Sequence, residues 1–163
     1  MNGIYFQMKK TTLVLIAGLC LSISIQSQTI VGKWKLTSII VESDMMYSIT
    51  KPVTLSIDET GKISGNGGCN DYSGNYLFKN PARSFKKSKK IKFSGIISTK
   101  MNCQPGSKTE NAFFSSLRSA AAAAFEGDEL IIKNKAVFVK SPQGNVVIQN
   151  TMTFIREVKP GSK

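Results

Sequence analysis

Apolar and polar residues alternate in several short segments of the chain. In residues 53–58, Val53, Leu55 and Ile57 point one way and polar residues fill the positions between them. Alternation with a period of two is typical of half-buried antiparallel strands. The sequence Glu-Thr-Gly then supplies a turn into a second strand over 62–65. Further strands are predicted at 33–41, 72–78, 90–97, 129–133, 136–140 and 146–155, so the chain is predicted to be mostly β.

One segment departs from this alternation and predicts a helix over residues 109–125. Its apolar residues recur at helical spacing, namely Phe113, Leu117, Ala120, Ala121 and Ala124. Ser107 and Glu110 have the spacing of a capping box, and Gly127 is well placed as a C-terminal stop. The alanine run 120–124 combines high helix propensity with little bulk, so it is expected to lie close against a sheet.

The N-terminus has the pattern of a secretory signal peptide over residues 1–27. Met8 is followed by two lysines, an apolar run over 13–25 and a polar exit, which match the three regions of such signals. Translation from Met8 is an alternative start, because the preceding residues add nothing that a signal requires. The apolar run is shorter than the ~20 residues of a membrane-spanning helix. We therefore predict a single mature domain over 28–159, followed by a frayed tail at 160–163.

Cys20 allows a second interpretation of the same segment. Residues 15–20 read Leu-Ile-Ala-Gly-Leu-Cys, which looks like a lipobox, although Leu19 stands where that motif has glycine or alanine. Lipidation of Cys20 would make the protein an outer-membrane lipoprotein. Cleavage beyond Cys20 would give a periplasmic or extracellular protein, and membrane association is predicted only in the first case.

Cys69 and Cys103 are the cysteines that remain after cleavage beyond Cys20. In an exported chain, a disulfide between them is the most economical interpretation. Two free buried thiols are the main alternative. A zinc site is disfavoured because the chain has no histidine and no Cys-x-x-Cys sequence.

The chain has a formal net charge of +12, and much of it lies in one segment. Seven basic residues fall within fourteen positions: Lys79, Arg83, Lys86, Lys87, Lys89, Lys90 and Lys92. Such a run can hold phosphates or anionic headgroups, which makes an anionic envelope surface a candidate partner. A solvated loop that keeps the domain soluble is the alternative. Export argues against nucleic acid as the natural partner.

The sequence contains no recognisable catalytic, metal-binding or cofactor-binding constellation. The lack of histidine removes the usual general base and with it the serine and cysteine triads. Adjacent carboxylates occur at Asp58 with Glu59 and at Asp128 with Glu129, in predicted turns where neighbouring side chains diverge. The glycine-rich stretch 65–68 suits a tight turn or bulge, and the P-loop pattern does not follow it.

Five blocks in order resemble the META domain family, which includes the HslJ-like heat-shock-inducible envelope proteins. They are 32–36 (Gly-Lys-Trp-Lys-Leu), 53–57, 61–65, 68–76 (Gly-Cys-Asn-Asp-Tyr-Ser-Gly-Asn-Tyr) and 93–103, which ends in Thr-Lys-Met-Asn-Cys. The asparagine in the last block departs from the family's usual alanine. The residues interpreted as the structural motif are Trp34, Gly65, Gly68, Asn70, Tyr72, Gly74, Tyr76, Thr99, Met101 and Glu110. Its aromatic side chains are expected in the core, with the lining of a ligand groove as the alternative.

The resemblance implies an α+β fold that is mostly β, with a curved antiparallel sheet or partial barrel and one packed helix. It implies no settled enzymatic activity. The leading hypothesis is an exported, non-enzymatic, stress-related protein of the cell envelope that acts by binding an anionic surface, an apolar peptide or a lipid. The alternatives are an enzyme of unrecognised type and a purely structural stress protein.

Overall fold

The computed structural model describes residues 28–42, 44–81, 83, 87–103, 107–142 and 144–157. These residues form one helix and twelve strands, numbered in chain order. The helix is α1 (Ser107–Arg118), and the strands are β1 (Gly32–Val41), β2 (Met45–Met46), β3 (Thr54–Ile57), β4 (Lys62–Asn66), β5 (Asp71–Leu77), β6 (Lys89–Lys90), β7 (Lys92–Ser98), β8 (Ala120–Glu126), β9 (Glu129–Asn134), β10 (Val137–Ser141), β11 (Gly144–Ile148) and β12 (Thr151–Arg156).

Ten of these strands form one antiparallel sheet that curves into a nearly closed barrel. The strand order is β6-β8-β9-β12-β1-β3-β4-β5-β7, and β2 pairs with β1. Both ends of this order belong to one stretch of chain, because β6 pairs with β8 while the adjacent β7 pairs with β5. Between them, Ile91 donates its N–H to the Ala121 carbonyl oxygen at 3.1 Å. The segment 89–98 thus joins the two edges of the sheet, and the predicted partial barrel with one helix is confirmed.

The helix is shorter than the sequence predicts, because it ends at Arg118. The alanine run 120–124, predicted to continue the helix, instead belongs to β8 between β6 and β9. The helix propensity of alanine exceeds that of ordinary residues by less than about 1 kcal/mol per residue. Two ladders of backbone hydrogen bonds and the burial of Ala123 in the core outweigh it. Gly127, predicted as the helix stop, has φ +59° in the turn between β8 and β9, so that prediction is also wrong.

The core joins the inner face of the sheet to the helix. Trp34, Leu36 and Phe154 from the central strands are fully buried. Phe113 and Leu117 of α1 belong to the same buried cluster. The helix connects β7 to β8 and packs against β1, β7 and β12, so its apolar face closes the core on that side.

The last predicted strand, over 146–155, is divided in the structure. β11 pairs with β10 in a separate two-stranded sheet, whereas β12 pairs with β9 and β1 in the barrel. The division occurs at Asn150, whose backbone N–H donates to Asn134 Oδ1 at 2.6 Å. The paired strands β10 and β11 are called the β10–β11 hairpin.

Several predicted features lie outside the described residues. They are the signal peptide, Cys20 with its lipobox, Lys86 of the basic segment and the tail 160–163. The side chain of Ser107 is likewise not among the described groups, so the hydrogen bond that it would contribute to the capping box stays a prediction. Within the described ranges, no helix is long and apolar enough to cross a membrane.

Candidate functional site

Four motif residues meet in one polar cluster, the signature cluster of Asn70, Thr99, Met101 and Glu110. The side chain of Asn70, in the loop between β4 and β5, lies at its centre. Its Oδ1 accepts hydrogen bonds from Thr99 Oγ1 at 2.9 Å and from the Met101 N–H at 2.6 Å. Its Nδ2 donates to Glu110 Oε2 at 2.8 Å and to the Met101 carbonyl oxygen at 3.3 Å. The cluster therefore joins this loop to the segment after β7 and to the first turn of α1.

Glu110 is a buried carboxylate, and both of its oxygens face Asn70. Oε1 accepts a hydrogen bond from the Asn70 backbone N–H at 2.7 Å, while Oε2 accepts the one from its side chain. An acidic group in the first turn of a helix also interacts favourably with the helix dipole. The sequence predicts a local capping role for Glu110, but its carboxylate makes a tertiary contact that fixes α1 to the β4–β5 loop.

Cys69 and Cys103 form a disulfide beside the signature cluster, with their Cα atoms 5.9 Å apart. Cys69 precedes Asn70, and Cys103 follows Met101 by two residues, so the crosslink holds the same two segments that Asn70 joins. Among the described residues, every buried side-chain nitrogen and oxygen atom has a hydrogen-bond partner. The hydrogen bonds of the signature cluster therefore join its own three segments to one another.

Gly65 allows close packing between β3, β4 and the Tyr72 ring. A Cβ atom at this position would lie 2.2 Å from the Thr54 carbonyl oxygen and 3.0 Å from Tyr72 Oη. The same carbonyl oxygen accepts a hydrogen bond from Tyr72 Oη at 2.8 Å. At Gly74, a Cβ atom would come within 3.1 Å of a carbonyl oxygen of β7. Gly68 is different, because its φ of +105° favours glycine even where space is available.

The aromatic motif residues pack in the core. Trp34, Tyr72 and Tyr76 are almost wholly buried. Trp34 Nε1 donates to the Ile30 carbonyl oxygen at 2.8 Å, and the Arg156 guanidinium lies over its ring with Cζ 4.3 Å from the ring centroid. Burial raises the pKa of the Tyr72 phenol above its ordinary value, so this side chain remains a neutral hydrogen-bond donor. These contacts support the interpretation that the aromatic motif residues pack in the core, and not the alternative that they line a ligand groove.

The described residues contain open depressions whose linings mix polar and apolar surface. One of about 500 Å³ crosses the outer face of β3, β4, β5 and β7, and its lining includes Ser64, Ser73 and Asn75. Another, of about 330 Å³, lies between β1 and α1. The lining of each contains at most one carboxylate. Within the described chain, no group of three or more His, Cys, Asp or Glu residues could hold a metal ion.

Sheet pairing joins two basic segments that are distant in sequence. Lys90 pairs with Ala122, which pairs in turn with Lys133. Directly paired residues project from the same face of a sheet, and two strand spacings separate Lys90 from Lys133 by about 10 Å. Ala123 points into the core, so this shared face is the outer one. Lys92 alternates with buried Ile91 in the same way as Lys90, and we call Lys90, Lys92 and Lys133 the basic face.

Six basic residues of the segment predicted from sequence are exposed: Lys79, Arg83, Lys87, Lys89, Lys90 and Lys92. Across the described ranges, one ion pair is found, between Lys133 Nζ and Glu126 Oε1 at 4.0 Å, with both side chains partly exposed. Such a pair contributes little to stability. Lys133 was not part of the predicted segment, because its approach to Lys90 depends on β8, which the sequence assigned to the helix.

The β10–β11 hairpin presents the largest group of exposed apolar side chains on neighbouring strands of the described chain. These are Val137, Phe138, Val139, Val146 and Val147, with Phe138 73% exposed. Neither strand pairs with a described strand of the barrel. The sequence predicts strands here but not their separation from the main sheet. The available signal is the uninterrupted apolar run Ala-Val-Phe-Val, which lacks the alternation of a strand with one buried face.

Comparison with known proteins gives a family match over most of the chain. A family model described as META domain matches residues 27–144. This range runs from the segment before β1 to the start of β11, so it includes the disulfide and the signature cluster. A solved structure of a DUF4847 family protein from Bacteroides vulgatus is similar at 12% identity and a TM-score of 0.44, covering 78% of this chain and 94% of that one. Comparison with curated proteins gives no match.

Proposed function

This chain belongs to the META domain family, and we propose that it is an exported, stress-related protein of the cell envelope that acts by binding an anionic surface and not by catalysis. The resemblance to envelope and heat-shock proteins supports the envelope and stress parts of the proposal. The N-terminal signal pattern supports export. The Cys69–Cys103 disulfide agrees with an oxidising compartment.

The observation that carries the binding proposal is the basic face. Lys90, Lys92 and Lys133 project from paired strands of one curved sheet, so their positions are more fixed than those of lysines in a solvated loop. Among the described residues, Glu126 is the carboxylate that pairs with this face, and it contacts Lys133. Each lysine near an anionic membrane surface contributes about 1 kcal/mol of attraction. Three lysines acting together therefore contribute about 3 kcal/mol of binding energy, and added salt would weaken this attraction.

Vesicle flotation tests the proposal with phosphatidylcholine vesicles that either contain or lack phosphatidylglycerol. The wild-type protein is expected to float only with the anionic vesicles, and less at high salt. The triple variant Lys90→Gln/Lys92→Gln/Lys133→Gln should bind about 100-fold more weakly, because three contributions of about 1 kcal/mol are lost.

A control variant with the same change in net charge is Lys35→Gln/Lys51→Gln/Lys62→Gln, which alters three exposed lysines outside the basic face. It should retain most of the binding. Equal losses in the two triple variants would show that net charge alone drives association, and binding that ignores both salt and the basic face would overturn the proposal.

A further inference from the structure

The β10–β11 hairpin carries apolar side chains on both of its faces. Val139 pairs with Val146, and Phe138 pairs with Val147. Because paired residues share a face and successive residues alternate, the two pairs lie on opposite faces. A hairpin that packs only against its own protein needs one apolar face. Here each of these four residues is at least 41% exposed, so apolar surface remains accessible on both faces.

The root of the hairpin is fixed to the barrel by hydrogen bonds. Asn134 donates its N–H to the Asn150 carbonyl oxygen at 3.2 Å, in addition to accepting the Asn150 N–H through its side chain. Asn150 Nδ2 also donates to Ser116 Oγ of α1 at 3.1 Å. The hairpin is therefore a projection with a defined origin beside the helix.

The chain segment that contains the hairpin carries charge of one sign. Residues 130–156 contain no aspartate or glutamate, whereas Lys133, Lys135 and Lys140 lie at the root and near the tip. Lys140 shares the face of Phe138, two positions away on the same strand. A lysine stem can lie along apolar surface while its ammonium group stays among polar headgroups. This combination of apolar and cationic side chains suits the interface of an anionic bilayer.

We infer that the β10–β11 hairpin is an interfacial anchor, which inserts its apolar side chains into the headgroup and upper acyl region of an anionic lipid bilayer. The inference rests on the proposed function, since the basic face supplies the initial attraction. It adds that the anionic surface is lipid, because an apolar hairpin gains nothing from a fully hydrated polyanion.

The dimensions and the two-sided exposure favour a bilayer over another copy of the chain. Each strand has five residues and extends about 17 Å, which reaches the interface but not across a ~30 Å apolar core. A bilayer surrounds both faces of an inserted hairpin. A second copy stacked on one face would leave the other in water, and a copy paired along a strand edge would cover neither.

The charges at the root also predict an orientation. Glu42 lies on the β1 side, where its N–H donates to Asn150 Oδ1 at 3.0 Å, and Asp44 follows in the same turn. Lys133 lies on the other side, in β9. An anionic bilayer attracts the β9 side and repels the β1 side, so the basic face should approach the lipid together with the hairpin.

The first test uses the variant Phe138→Asn and vesicles that contain phosphatidylglycerol. Phe138 lies outside the core cluster, so the substitution should leave folding unchanged. Binding should weaken about tenfold, because the phenyl group no longer transfers its apolar area into the interface. The weakening should persist at high salt, unlike that of the basic-face variant. Ile97→Asn, at a position 69% exposed on β7, is the matched control and should bind like the wild type.

The second test places a fluorescent probe in the hairpin. On addition of the same vesicles, the new indole of Phe138→Trp should shift its emission to shorter wavelength and be quenched by brominated lipid. The chain's one native tryptophan, Trp34, is buried and provides a constant background. Ile97→Trp should keep the emission of an indole in water.

The outcomes separate the inference from the proposed function. If the basic-face variant loses binding while Phe138→Asn does not and the Phe138→Trp emission stays unchanged, the anchor is overturned and anionic binding stands. If vesicles bind none of the proteins, both fail. If sedimentation shows a dimer that Phe138→Asn dissociates without affecting vesicle binding, the hairpin is a contact between copies and the anchor is likewise overturned.

Discussion

Exchanging the polar groups of Asn70 and Glu110 tests whether the signature cluster fixes the helix to the sheet. Asn70→Asp replaces Nδ2 by an oxygen 2.8 Å from Glu110 Oε2, so that two buried carboxylates face each other. Glu110→Gln creates the opposite mismatch, because its new amide group must face one of the two Asn70 donors. In the double variant, the introduced amide can accept the backbone N–H and donate to the introduced carboxylate. Complementarity is thus restored with the donor and acceptor exchanged.

The expected magnitudes follow from the hydrogen bonds at this site. A charge-assisted hydrogen bond contributes about 1.5–3 kcal/mol. Asn70→Asp loses one and adds carboxylate repulsion, so the free energy of unfolding should fall by about 4 kcal/mol at neutral pH. Glu110→Gln should cost about 2 kcal/mol. The double variant still lacks the 3.3 Å bond to the Met101 carbonyl oxygen and should cost about 3 kcal/mol, which gives a coupling of about 3 kcal/mol.

The pH dependence of Asn70→Asp provides a second readout. A proton bound between its two facing carboxyl groups relieves their repulsion, so the folded variant takes up this proton at a higher pH than the unfolded chain does. The deficit relative to the wild type is therefore largest at neutral pH and shrinks as the pH falls. The double variant, with one carboxylate at the site, should not show this recovery.

Urea denaturation with the disulfide intact, at pH 7 and at about pH 4.5, measures all four proteins of the cycle. Asn70→Ala serves as an uncharged reference: it removes both bonds that Nδ2 donates and also the two that Oδ1 accepts from Thr99 and Met101, which Asn70→Asp can keep. It measures the cost of losing the whole polar side chain without an added charge. Two results would refute the reasoning: a stability deficit of Asn70→Asp that is no larger at pH 7 than at about pH 4.5, or a double variant whose loss equals the sum of the single losses.

The remaining predictions concern close packing, the crosslink and a turn. Gly65→Ala should lower the unfolding free energy by about 3 kcal/mol or more in urea denaturation, because its Cβ would overlap a carbonyl oxygen; a loss below about 1 kcal/mol would show that β3 can shift. Replacing Cys69 and Cys103 by serine should cost about 3–4 kcal/mol, and intact-mass analysis of the native protein should show two alkylations only after reduction. The pKa of Asp58 is lowered chiefly by the hydrogen bond that its carboxylate accepts from the Lys62 N–H. The stability linked to Asp58 should therefore be lost as the pH falls below the ordinary pKa of 3.8. Asp58→Asn should flatten that part of the pH–stability curve, and an unchanged curve would contradict the attribution of this stability to Asp58.

The strands with one buried face could be predicted from sequence because apolar and polar residues alternate along them, and the apolar residues lie on the side that faces the core. The alternation of Val53, Leu55 and Ile57 matches their burial in the structure. The alanine run failed for the opposite reason: alanine fits either face, and its local preference is for a helix. Among the tertiary contacts that the strand makes, the ring of Phe125 lies 6.0 Å from that of Trp34. That contact is distant in sequence and leaves no local pattern.

For the candidate sites too, most residues could be predicted from sequence but their contacts could not. Asn70, Thr99, Met101 and Glu110 could be selected from the resemblance, but their mutual contacts could not, since they span three separate segments. The segment containing Lys90 was visible as a charge run. Its partner Lys133 was not, because only the register through Ala122 brings the two together.

The hairpin is the part of the chain that the fold needs least. Lys133 pairs directly with Thr151, and the residues next to them, Asn134 and Asn150, are joined by backbone and side-chain hydrogen bonds. A turn of a few residues would complete this connection, yet fifteen residues lie between the two asparagines. Their exposed valines and Phe138 add nothing to the barrel core, and exposed apolar strands carry a risk of aggregation. Because the barrel does not account for these side chains, contact with an apolar medium outside the chain is the explanation to test, and substitutions there should change binding without changing stability.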